Sequence, residues 1–149
     1  MKLSKLQVSQ LAEFASQNSI RFIVLFGSQT QTISREGADF DIAVSVQGGK
    51  SFMSDFELYS RILDGLSTII GIPYDKIDLS DLDNANILLR YEITLKGELL
   101  YGNELDYLEL KSFAFRDYID AGKLNDLEAL LISKRQKMIS NALAEIISR

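Results

Sequence analysis

Two short segments of this 149-residue chain carry residues able to do chemistry in concert. Gly27-Ser28 follows the apolar run 20–26, and after ten intervening residues Asp39 and Asp41 stand at alternate positions of Asp39-Phe40-Asp41-Ile42. A glycine after a buried strand lets the backbone approach a ligand closely. If a helix starts there, its free N–H groups and positive dipole end favour an anion, and Ser28 adds a hydroxyl donor. Alone, Gly-Ser is an ordinary strand-to-helix turn. The acids change that. Residues i and i+2 of a strand share a face, and two carboxylates there repel unless a cation or water lies between them. A divalent metal resolves the conflict and suits oxygen ligands. A solvated strand face would also hold such a pair. However, Ala38, Phe40, Ile42, Ala43 and Val44 make this a strand worth burying, and unpaired acids there are costly without a function.

Asp78 supplies a third carboxylate by the same logic. Asp75, Asp81 and Asp83 lie nearby and an acidic loop would look similar, but only Asp78 falls between two strand apolars, Ile77 and Leu79. Asp39, Asp41 and Asp78 are therefore the candidate metal ligands, and with a phosphate-gripping turn they fit two-metal phosphoryl chemistry. The composition supports this by exclusion. The chain has no histidine and no cysteine, so Ser-His-Asp and Cys-His chemistry are impossible within it and zinc lacks its usual ligands. The net charge of −5 makes direct nucleic-acid binding unexpected. No disulfide framework and no apolar run of membrane-spanning length is present, and the early polar, amphipathic residues make a secretory signal unexpected, which fits the cytoplasm.

The elements that must position these residues read as follows. A first helix is capped by Ser4 and carries Leu6, Leu11, Phe14 and Ala15; Asn18-Ser19 ends it. The run 20–26 is a strand covered on both faces. Residues 29–33 begin a short helix and Arg35-Glu36-Gly37 is a loop. In the strand 39–46, Phe40, Ile42, Val44 and Val46 share one face and Asp39, Asp41, Ala43 and Ser45 the other. Gly48-Gly49-Lys50-Ser51 imitates the end of a Walker A loop, but Val44 stands where that motif needs glycine. Ser51 or Ser54 caps a helix with Phe56, Tyr59, Ile62, Leu63, Leu66, Ile69 and Ile70 on its apolar face, stopped by Gly71 and Pro73. Residues 76–79 form a third strand, 84–96 a helix and 98–101 an edge strand. The remainder is helical with a break near Gly122. Its aromatics Tyr107, Phe113, Phe115 and Tyr118 either pack for the most part on the sheet or form a partner surface, and Lys134-Arg135-Gln136-Lys137 is a solvated face that complements a helix C-terminal end, with an anionic partner as the alternative. The expected fold is α/β (α+β): a small mixed sheet flanked by helices, with C-terminal helices. One domain spans 1–149, with an α/β core over about 1–102 and a helical extension over about 103–149.

Gly27-Ser28, ten residues, then Asp39-Phe40-Asp41 resembles the signature of the DNA polymerase β-like nucleotidyltransferase superfamily. With Lys76-Ile77-Asp78-Leu79 and Leu95-Lys96-Gly97-Glu98-Leu99-Leu100-Tyr101, the chain resembles more closely the minimal nucleotidyltransferase (MNT) antitoxins of HEPN–MNT toxin–antitoxin pairs. The likeness covers roughly residues 20 to 120. It implies that Asp39 and Asp41 bind two Mg²⁺ ions, that Asp78 completes one metal site and helps activate the acceptor hydroxyl, and that Gly27 and Ser28 hold the β- and γ-phosphates of ATP. It also implies transfer of AMP to a tyrosine of a cognate HEPN ribonuclease toxin, which silences that toxin. Many relatives carry an arginine shortly after Gly-Ser; this chain has Gln29-Thr30-Gln31. The competing readings are an antitoxin that masks the toxin sterically and a transferase for a small molecule.

Overall fold

The computed structural model describes residues 3–27 and 39–147. In order these form α1 (Lys5–Gln17), β1 (Ile20–Phe26), β2 (Phe40–Val46), α2 (Phe56–Ile70), β3 (Ile77–Asp81), α3 (Ile87–Lys96), β4 (Glu98–Tyr101) and α4 (Glu104–Ile147), with 3-10 turns at Phe52–Ser54 and Tyr74–Lys76. The strands make one mixed sheet in the order β3-β2-β1-β4. β1 runs antiparallel to β2 and β4, and β2 runs parallel to β3.

The expected two-sided burial of β1 is met. Ile20, Ile23 and Leu25 join Leu11, Ala15, Ile62 and Leu66 under α1 and α2. Phe22 and Val24 face Ala43, Leu82, Ile93 and Tyr107 under α3 and α4. A register shift between Ile20 and Phe22 lets Ile20 and Ile23, three apart, serve the same face. β2 alternates as its pattern requires: Ile42, Val44 and Val46 enter the first cluster and Ala43 the second.

Helix starts follow local hydrogen bonding. Ser4 Oγ accepts from Gln7 N at 3.2 Å and Gln7 Oε1 accepts from Ser4 N at 2.9 Å, a reciprocal cap. For α2 the cap is Asp55, not Ser51 or Ser54: its carboxylate accepts from Leu58 N at 3.0 Å. The intervening 3-10 turn shifts the helix start beyond both serines. Phe56 is then in the first turn, outside the buried stripe, and is 83% exposed. α3 starts at Ile87, three residues later than its periodicity suggests, because Asn86 caps it and residues 82–85 are taken up by a turn.

Arg90 of α3 ties that turn down. Its guanidinium donates to the carbonyls of Asp83 (2.7 Å), Ala85 (3.0 Å) and Leu82 (3.3 Å), and Nη1 lies 3.8 Å from Asp117 Oδ2 on α4.

The C-terminal region departs from expectation. α4 is one helix of 44 residues, about 66 Å long, and passes through Gly122 without a break. A glycine inside a helix costs only ~1 kcal/mol against alanine, and no turn chemistry follows it. Tyr107 packs on the sheet against Phe22, ring centroids 5.5 Å apart. The other aromatics do not: Tyr118 and Phe115 meet Tyr91 of α3, and Phe113 is largely exposed. Lys134 to Lys137 lie ten or more residues before the helix end, beyond reach of its dipole. Among the described residues, no helix is long and apolar enough to cross a membrane.

Candidate active site

Strand pairing places the three acids at one end of the sheet. Asp41, the second residue of β2, pairs with Phe26 at the end of β1 and with Asp78, the second residue of β3. Neighbouring strands lie about 4.8 Å apart, so Asp41 and Asp78 stand side by side on the face that also carries Ala43. Asp39 precedes β2 by one residue and, by the same parallel register, falls opposite Lys76. The Lys76 ammonium reaches Asp39 Oδ1 at 3.6 Å.

Gly27 closes this end. Its φ of +74° lies in the left-handed region where a side chain is strained. There is also no room: a Cβ there would collide with the Asp41 carboxylate. The two halves of the sequence motif therefore touch, with the glycine backbone against the second acid. Ser28, the other expected phosphate-binding residue, lies outside the described residues, as do Gln29, Arg35 and the short helix expected over 29–33.

Among the described residues, the ion pair at these three acids is that of Lys76 with Asp39. Asp41 is half-buried, and its carboxyl is pushed above its ordinary value by desolvation first, then by Asp78, then by Asp39. Burial near like charges makes the ionised form expensive until a cation arrives. The donor set contains oxygen only, which suits a hard divalent ion such as Mg²⁺. Among the described residues, no three acidic side chains converge tightly enough to grip one ion as they stand. Asp39 instead leans on Lys76.

The neighbouring acids are occupied otherwise. Asp81 Oδ1 accepts from Asp83 N (3.1 Å) and Asn84 N (3.2 Å), and its Oδ2 accepts from Asn84 Nδ2 (3.0 Å). Asp83 accepts from Ser45 Oγ (3.0 Å) and Val46 N (3.2 Å), bracing the far end of β2. Their hydrogen bonds mark both as turn-building residues, which separates them from Asp78. Lys76 was missed by sequence reasoning. Its signal was positional: it stands two residues before Asp78, as Asp39 stands two before Asp41.

The polymerase β nucleotidyltransferase family model matches residues 9–106, from α1 into the first turn of α4. The protein adenylyltransferase MntA of Shewanella oneidensis is 25% identical over 130 residues, which cover 87% of this chain and 81% of MntA. A crystal structure of a toxin–antitoxin with AMP-PNP superposes with a TM-score of 0.59 at 21% identity, covering 83% of this chain and 98% of that one. A structure of the tri-AMPylated Shewanella oneidensis HEPN toxin in complex with MNT antitoxin gives a TM-score of 0.55 at 21% identity, covering 85% and 98%. At those identities the solved structures share the fold. The family match spans every strand and both halves of the acidic motif, and this chain belongs to the polymerase β nucleotidyltransferase family.

Proposed function

We propose that this chain is a Mg²⁺-dependent adenylyltransferase, moving AMP from ATP onto a tyrosine hydroxyl of a HEPN-type toxin and thereby acting as its antitoxin in the cytoplasm. The observation that carries the reading is the contact of Gly27 with Asp41, itself paired with Asp78: a backbone able to approach phosphates sits against two neighbouring acids that have no ion-pair partner among the described residues. Similarity to a protein adenylyltransferase and to antitoxins solved with their toxins supports the choice of donor and acceptor.

Asp39, Asp41 and Asp78 would hold Mg²⁺, which supplies charge neutralisation for the triphosphate and a lowered pKa for the acceptor hydroxyl. Gly27 and Ser28 bind the β- and γ-phosphates. Asp78, the exposed member of the in-register pair, meets a protein acceptor from solvent and orients its hydroxyl by accepting its proton in a hydrogen bond. The tyrosine oxygen bonds to the α-phosphorus as its proton passes to the Asp78 carboxylate and on to solvent, the bond from that phosphorus to the bridging oxygen breaks, and pyrophosphate leaves. Lys76 neutralises Asp39 in the resting site.

The test incubates the chain with labelled ATP, Mg²⁺ and the HEPN-type protein encoded beside it. Label on a toxin tyrosine and loss of ribonuclease activity are expected, and Asp41→Asn abolishes both. An unlabelled toxin with both proteins folded sinks the enzymatic reading. Neutralisation that survives Asp41→Asn assigns the antitoxin effect to steric binding.

A further inference from the structure

The distal part of α4 is a helix without a companion. α4 accompanies α3 as far as a groove where Ala121 and Asn125 face Asn86, Ile87 and Arg90. Beyond it, every large apolar side chain described from Leu127 to Leu143 is more than half exposed, between 51% and 73%. A helix with no packed face is marginal in water, so this segment needs a surface to lie against.

The sequence of the segment says which surface. Leu124, Leu127, Leu131 and Met138 recur at spacings of three, four and seven, the seam of a two-helix pair. The missing seam position is Lys134. In a parallel pair of identical helices Lys134 meets its own counterpart, ammonium against ammonium. In an antiparallel pair it lies beside a leucine of the other helix, along which its methylenes extend while the charge reaches water. The flanks agree. Glu128 and Arg135 each follow a seam position by one residue, so they share a flank seven residues apart. Antiparallel helices bring equivalent flanks together, so Glu128 of each copy faces Arg135 of the other. This reciprocity is what a two-fold axis requires.

We propose that distal α4 is a self-association surface, through which two copies of this chain pair antiparallel about an axis near Leu131. The pairing is independent of the AMP-transfer reading, since it uses no residue of the acidic site.

Sedimentation equilibrium of the full chain alone, over micromolar to hundreds of micromolar concentration, tests it. A single monomer–dimer equilibrium is expected. Glu128→Arg and Arg135→Glu each weaken it about tenfold, because each removes two bridges per dimer and adds repulsions. Combining the two substitutions restores association to within about threefold of the parent, since the charges are exchanged across the same axis. Leu131→Asp abolishes dimerisation while far-UV circular dichroism retains the signal of the α/β core. A chain that stays monomeric throughout overturns the proposal and leaves the surface to a different protein. So does a double variant no better than the singles, the result that parallel pairing gives.

Discussion

The two ends of the β2–β3 ladder carry the same residue type in opposite chemical states. At one end Asp41 and Asp78 are neighbours in register, and Asp41 is raised by burial and by like charge. At the other, Asp81 and Asp83 receive five hydrogen bonds from nearby backbone and side-chain donors. Burial also raises Asp83, but Ser45 and Val46 oppose it by donating to its carboxylate. Four aspartates along this ladder and its following turn thus divide into two that hold the structure together and two that, among the described residues, have no ion-pair partner. An acid is informative about function when the fold withholds its partners.

The contrast can be broken most severely at Asp41. Asp41→Asn is expected to reduce AMP transfer by more than ~100-fold, exceeding what loss of an outer partner of a metal ligand costs. The fold should survive, and steady-state transfer assays beside circular dichroism check both. Asp81→Ala should do the converse. Losing three hydrogen bonds at a partly buried turn costs about 2–3 kcal/mol in urea unfolding, while transfer per folded molecule stays unchanged. Gly27→Ala should affect both ends of the comparison, since strain at positive φ costs about 1–3 kcal/mol and the displaced Asp41 carboxylate slows transfer. The smallest effect concerns pH. Folding raises the Asp41 pKa above its unfolded value of 3.8, so its contribution is most favourable below that value and is lost as pH rises through the folded pKa. Metal-free Asp41→Asn should therefore melt slightly above the parent at pH 7 and lose that advantage near pH 3. Mg²⁺ at pH 7 should raise the parent's Tm more than the variant's.

Much of this was legible in the sequence because the decisive signals were local. Alternation from Asp39 to Val46 marked the two faces of β2. The position of Asp78 between Ile77 and Leu79 separated it from its acidic neighbours. What escaped depended on register or on distant chain. Asp83 could be recognised as structural only once β2 brought Ser45 and Val46 to it. Lys76 required the parallel pairing of β2 with β3. The continuity of α4 through Gly122 was misjudged because glycine weighs heavily in a short window and lightly in a helix of 44 residues.

Arg90 has a mechanical consequence. One guanidinium grips three carbonyls of the turn after β3 and reaches Asp117 on α4. Asp83, within that turn, grips the end of β2. A long helix held near one end is a lever, and this is its fulcrum. Through Arg90 and Asp83, α4 is connected to Val46 at the end of the same strand that carries Asp41, five residues away along β2. The outer turns of α4 and the strand that carries Asp41 are thus joined by a short chain of polar contacts, with no residue of the acidic end taking part.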